Sequence, residues 1–300
     1  MDAGPKIVLN AADIVGESIV YDDRRDALLW VDICGKRIHR LHLGSGGHEV
    51  WPTPEFPTSI GLRRDGGAIL GLRKRVVLWD YGERFEPFVD IEPDLPGNRL
   101  NEGCVAPDGS FWVGTMQDNL TDAGKPREIT ARTGALWRVT PDASVTQMTP
   151  ARYGIANTLA WTQDGRLLTA DTLTNTITQF DCAASELTEP RLFASGPDRG
   201  LPDGSTLDAD GHLWNCRVGG GSCVARYAPD GSLDGLIELP CSWPTSCTFG
   251  GRKLATLFVT SARFTMSPTH LSAHPQEGAL ISLRPGVTGR PAHRFDLSGS

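Results

Sequence analysis

The sequence has no apolar run of the roughly 18 residues that a spanning helix needs. It also has no basic tract longer than the RKR stretch at 73–75 and no Cys-x-x-Cys pair. The first absence excludes a helical membrane protein. The second, with a net charge of −7, excludes a non-specific nucleic-acid surface. The opening residues MDAGPKIVLNAADIV lack a basic segment followed by a long apolar core, so no secretory signal is expected and the location is read as cytoplasmic. The seven cysteines (34, 104, 182, 216, 223, 241 and 247) are odd in number. They are expected to be reduced and mostly buried, a Cys216–Cys223 bridge being the one pairing weighed against that. Gly-x-Ser-x-Gly, His-Glu-x-x-His and P-loop signatures are all missing. The seven histidines (39, 42, 48, 212, 270, 274 and 293) are scattered, and none is given a role.

What is present is a core-forming composition, 39% hydrophobic against 22% charged, and a repeat hidden by its loops. A turn followed by alternating apolar residues recurs as RRDALLWVDI (24–33), RRDGGAILGL (63–72), APDGSFWVGT (106–115), TQDGRLLTAD (162–171), DADGHLWNCR (208–217) and FGGRKLATLFVTS (249–261). Measured between Asp26, Asp65, Asp108, Asp164, Asp210 and Gly251, the intervals are 39, 43, 56, 46 and 41 residues. Asp-Gly suits a tight hairpin turn, the alternation suits a strand with one buried face, and the period is that of a four-stranded blade. Long helical periodicity is absent. The chain is therefore expected to be all-β, a single six-bladed β-propeller over residues 1–300, with GRPAHRFDL (289–297) closing the ring against strand material from residues 6–21. A β-sandwich with coincidental turns is the alternative. The 56-residue interval holds the polar insert QDNLTDAGKPREIT (117–130), which is expected to cover a site rather than build core.

Polar residues stand ahead of several of these turns: Glu17, then Arg99, Asn101 and Glu102, then Asn157, then Asp203. The innermost strands of a propeller line its channel, so equivalent offsets in different blades meet around one axis. That groups Glu17, Asn157 and Asp203 into an all-oxygen set of two carboxylates and one carboxamide. Such a set suits one divalent cation, Ca²⁺, Mg²⁺ or Mn²⁺, or Zn²⁺ with water completing its shell. The plainer alternatives are a simple turn at Pro202-Asp203-Gly204 and a side-chain-to-backbone turn at Asn157.

The stretches ESIVYDDRRDALLWVDICGKRIHR, NRLNEGCVAPDGSFWVGTM, GIANTLAWTQDGRLLTADT, LPDGSTLDADGHLWN and PTSCTFGGRKLATLFVTSA, in this order along nearly the whole chain, resemble the senescence marker protein / gluconolactonase / regucalcin-like family. The resemblance implies a six-bladed propeller with one divalent cation on its axis, hydrolysing sugar lactones to aldonic acids in carbohydrate catabolism. It implies Glu17, Asn157 and Asp203 as metal ligands, with Asp203 also managing the proton of the attacking water. Arg99 and Asn101 would hold the substrate. The chain departs from the family at Ala156-Asn157-Thr158, where Ser-Asn-Gly is frequent, and at Gly16-Glu17-Ser18, which lacks a following Gly-Pro. After Gly-Thr-Met it carries Gln117-Asp118-Asn119, so the usual acidic substrate contact is displaced by one or replaced by the amide of Asn119. The expected partner is a small sugar lactone, with the protein a monomer or weak homo-oligomer. A metal-dependent arylesterase or phosphotriesterase-like propeller, and a non-catalytic calcium-binding propeller, are the competing readings.

Overall fold

The computed structural model describes residues 4–183 and 186–299. Six sheets, each with four antiparallel strands ordered outward from the axis, form the blades, and one of them gains a fifth short strand. Their inner strands are Gly16–Asp22, Ser59–Arg63, Asn98–Val105, Ala156–Trp161, Leu201–Leu207 and Pro244–Gly250, for blades I to VI in turn. All six repeat markers fall in the same place, the turn between the inner strand and the second strand of each blade. The local reason is visible at Gly165, whose φ of +82° is open to glycine without steric cost. Burial follows the layers. The second strand of blade I, Ala27–Asp32, is buried throughout, whereas the outermost, His48–Pro52, alternates between exposed and half-buried. Aromatic side chains wedge neighbouring blades together edge-on: Trp112 against Trp161 at 4.9 Å between ring centres, and Trp214 against Phe249 at 5.8 Å.

Ring closure differs from the expectation in one partner. Lys6–Leu9 does close the ring, as fourth strand of blade VI, but it pairs with Leu280–Leu283 rather than with residues 289–297. The run ALISL (279–283) is apolar at all positions but Ser282, while Pro291 has no amide to give a ladder. Instead the end of the chain crosses the propeller, and Arg294–Phe295 pairs in parallel with Leu62 and Arg63 of blade II. All seven cysteines are free thiols. Cys216 pairs across the ladder with Val224, and Cys223 with Arg217, so the two thiols leave opposite faces of the sheet. Among the described residues, no helix is long and apolar enough to cross a membrane.

The feature that shapes the axis is a slip in the inner ladders. The pairing shifts between Glu17 and Val20, Leu100 and Gly103, Asn157 and Leu159, Pro202 and Ser205, and Pro244 and Cys247. A bulge leaves extra residues unpaired and re-aims their side chains. Ser18 and Thr158, the residues after Glu17 and Asn157, take φ of +50° and +51° to make the step. Inner strands approach closely there: a Cβ on Gly204 would stand 2.8 Å from Ser246 Oγ.

Candidate functional site

The bulges split the axis into two cavities. The one at the entry ends of the inner strands, about 300 Å³, is lined by Glu17, Asn101, Asn157, Asp203 and Thr245, one from each bulged strand. The one at the other end, about 170 Å³, is lined by Ser18, Glu102, Ser205 and Ser246, with residues 290–293 of the crossing chain across it. The sequence had grouped Glu17, Asn157 and Asp203, and the structure brings all three into the first cavity together with Arg99, Asn101 and Asn119. Glu102, next to Asn101, turns into the second.

Glu17, Arg99, Asn101, Asn157, Thr172, Asp203 and Thr245 are nearly buried, Asp203 being 5% exposed, while Asn119 is half-buried. Burial first, then the charges of Asp203 and Glu102, holds the Glu17 carboxyl well above its ordinary pKa. Asp203 is raised likewise, by burial and then by Glu102. Burial pushes Glu102 up to about 7 and brings Arg99 down to about 10. Two buried carboxylates therefore face one cavity with a single guanidinium nearby, an arrangement that asks for protons or a cation.

The amides are strung into one chain of hydrogen bonds. Arg99 Nη1 donates to Asn101 Oδ1 at 2.8 Å and to the Leu100 carbonyl at 2.8 Å, and Arg99 Nε donates to Asn119 Oδ1 at 3.0 Å. Asn101 Nδ2 donates to Asn157 Oδ1 at 2.9 Å and to the Ala156 carbonyl at 3.0 Å, which uses both of its N–H bonds. Asn157 Nδ2 donates to Thr172 Oγ1 at 2.9 Å, and that hydroxyl donates in turn to the Pro202 carbonyl at 2.8 Å. With its nitrogen so held, Asn157 keeps its oxygen on the side of Asn101 and the cavity. The Asp203 carbonyl is tied by Thr158 Oγ1 at 2.5 Å and Asn215 Nδ2 at 3.1 Å. Thr158 is thus buried beneath the site rather than lining it. Thr245 closes the pattern by donating to the carbonyl of Gly16.

The 117–130 insert reaches the site with one side and braces itself with the other. Asn119 and Leu120 line the cavity, while Asp118 pairs with Arg73 Nε at 2.7 Å and stays outside it. The amide, not the acid, is the group presented. Sequence reasoning missed Thr172 and Thr245. Thr172 sits at a strand end with no distinguishing pattern. Thr245 could have been found, because it stands six residues before its blade's marker, Gly251, while Asn101, Asn157 and Asp203 stand seven before theirs.

The donor set fits a hard divalent cation. Among the described residues, no group of three or more His, Cys, Asp and Glu side chains is arranged to hold a metal. The set here has two carboxylates and an amide oxygen whose orientation is fixed from behind, which is oxygen chemistry with room for water or substrate.

The family described as SMP-30/Gluconolactonase/LRE-like region matches residues 15–263. A 6-deoxy-6-sulfogluconolactonase of Pseudomonas putida is 32% identical, over 95% of this chain and 96% of that protein. An L-arabinolactonase of Azospirillum brasilense is 31% identical, over 96% and 94%. The crystal structure of a calcium-binding protein, regucalcin, from Agrobacterium tumefaciens superposes with a TM-score of 0.89 at 27% identity, covering 98% of this chain and 97% of that one.

Proposed function

The chain belongs to the SMP-30/gluconolactonase/LRE-like family, and on that premise we propose that it is a lactonase opening sugar lactones to aldonic acids with the help of one divalent cation. Lactonases at about 30% identity over nearly the full length support the reaction class. The observation that carries the cation is the meeting of Glu17, Asn157 and Asp203, from blades I, IV and V, around one cavity with the Asn157 oxygen oriented by Thr172.

When bound, the cation supplies Lewis-acid polarisation of the ester carbonyl and charge opposite the oxyanion that develops there. Glu17, Asn157 and Asp203 would hold it. Asp203 accepts a proton from water as the water oxygen attacks the carbonyl carbon. It returns that proton to the ring oxygen as the carbon–oxygen bond of the ring breaks. Arg99 and Asn119 hold the substrate from the side. Asn101, committed to Arg99 on one side and Asn157 on the other, keeps those two groups at a fixed spacing.

Trp243 and Phe264 on the cavity wall favour aryl esters as the second reading, and the Arg99–Asn119 pair favours a hydroxylated ring. A pH-indicator assay of an aldonolactone and aryl-ester panel decides, using metal-free protein reloaded with Ca²⁺, Mg²⁺, Mn²⁺ or Zn²⁺ singly. Lactone opening that returns with one cation is the expected result. Failure to open any lactone with any cation would sink the proposal.

A further inference from the structure

Among the described residues Arg99 is the one cationic side chain lining the first cavity, and its bonding is lopsided. Nε and Nη1 are spent on Asn119, Leu100 and Asn101, all neutral acceptors. Among the described residues Nη2 finds no acceptor, and it is not one of the side-chain nitrogens sealed off without a partner. Its two N–H bonds therefore open onto the cavity.

Other deeply placed arginines are treated differently. Arg63 pairs with Asp65 and Asp80, Arg294 with Asp22 and Asp23, and Arg73 with Asp118 and Asp122. Arg217 also lacks a carboxylate, but each of its three nitrogens has an acceptor. Arg99 is nearly buried, unpaired and open at one nitrogen. None of the nearby acids forms an ion pair with it; its hydrogen-bond partners are all neutral. Asp118 is taken by Arg73, and Glu102 faces the other cavity. The charges of Glu17 and Asp203 are cancelled by the two charges of the cation they would hold. A desolvated guanidinium left with one positive charge to spare is costly, and an anion offers the strongest hydrogen bonds it can make. The geometry also sets its place. One carboxamide, Asn101, separates the Arg99 guanidinium from Asn157, so an anion received by that guanidinium stands apart from a carbonyl held at the ligand set.

We propose that the substrate is a lactone carrying a second, anionic group (carboxylate, sulfonate or phosphate ester) remote from its carbonyl, and that Nη2 of Arg99 receives that group. This rests on the lactonase reading and narrows it.

The test compares glucono-1,5-lactone with counterparts bearing a carboxylate, a sulfonate or a phosphate ester at carbon 6, on the cation-loaded enzyme. The expected result is kcat/KM about tenfold or more higher for the anionic members, carried by KM, as one charge-assisted hydrogen bond provides. The best of the three shows which anion the cavity takes. Asn119→Asp sets a carboxylate against Arg99 Nε, and Arg99→Gln removes the charge. In both, the anionic-to-neutral ratio should collapse towards one. Equilibrium binding gives a readout without turnover. Sorbitol bearing a 6-sulfonate, a weak ligand for hard cations, should bind more tightly than sorbitol itself, and Arg99→Gln should erase the difference. Neutral lactones turned over as well as anionic ones would overturn the inference and leave the lactonase reading standing. Loss of turnover on every lactone would overturn the lactonase reading and the substrate assignment with it, and a sulfonate preference left intact would keep Arg99 as an anion site alone.

Discussion

The hydroxyl of Thr172 stands behind the amide of Asn157, accepting from its Nδ2 at 2.9 Å, while donating to the Pro202 carbonyl at 2.8 Å. One side chain of blade IV thus fixes which end of Asn157 faces the cavity and pins the residue before Asp203. Partners of this kind typically cost 10–100-fold in metal affinity or activity when removed. Thr172→Val should weaken cation binding, measured by titration calorimetry on metal-free protein, by about that factor. Thr172→Ser, which restores the hydroxyl, should recover it.

Asp203→Asn keeps the shape and one oxygen but removes the base. Turnover should fall by roughly 10²–10⁴-fold, with the circular dichroism spectrum unchanged. In the metal-free protein near neutral pH, the variant should melt no lower than the parent, because a buried carboxylate repelled by Glu102 has been made neutral. A folded variant with full activity would remove Asp203 from the reaction.

Glu17, Glu102 and Asp203 all have folded pKa values above their ordinary ones, Glu102 reaching about 7 from 4.5. The folded state then binds protons that the unfolded chain releases, so the stability they contribute is present below the ordinary carboxyl range and is lost as pH rises through the folded values. Metal-free protein should therefore lose melting temperature between about pH 4.5 and 7. Glu102→Gln should flatten that slope. Added cation should raise the melting temperature more at pH 7 than at pH 5, since it binds the ionised carboxylates. Melting curves across pH, with chelator and with cation, check all three.

Phe295 is fully buried, meets Phe88 edge-on at 5.8 Å and sits on the parallel pairing with blade II. Phe295→Ala should cost about 3–5 kcal/mol of unfolding free energy in urea, with kcat/KM unchanged in the population that remains folded, because the residue lies outside the first cavity.

Much of the architecture was legible because turn chemistry is local. An Asp-Gly step and the alternation after it are read within ten residues, and all six markers land at one position of the blade. The offsets that joined Glu17, Asn157 and Asp203 worked because the inner strands share one geometry. What stayed hidden is non-local. No local signal in GRPAHRFDL tells whether it pairs with residue 9 or with residue 63. Whether Asp118 or Asn119 faces the cavity depends on Arg73, which lies 45 positions away. Thr172 finds its second partner at Pro202, 30 positions on. The bulges themselves require Ser18 and Thr158 in left-handed conformations, which neither residue type advertises.

The closure of the ring by Lys6–Leu9 sets a clock on biosynthesis. Its partner, Leu280–Leu283, is made long after it, so at roughly 5–20 residues per second the first strand waits about a quarter of a minute to a minute without its neighbour. Glu17, Asn157 and Asp203 are all made before then. The bond from Thr245 to the Gly16 carbonyl, which locks the sixth blade beside the first ligand, is made by the last blade to emerge. An ion present during synthesis meets a broken circle, and one present afterwards meets a finished ring.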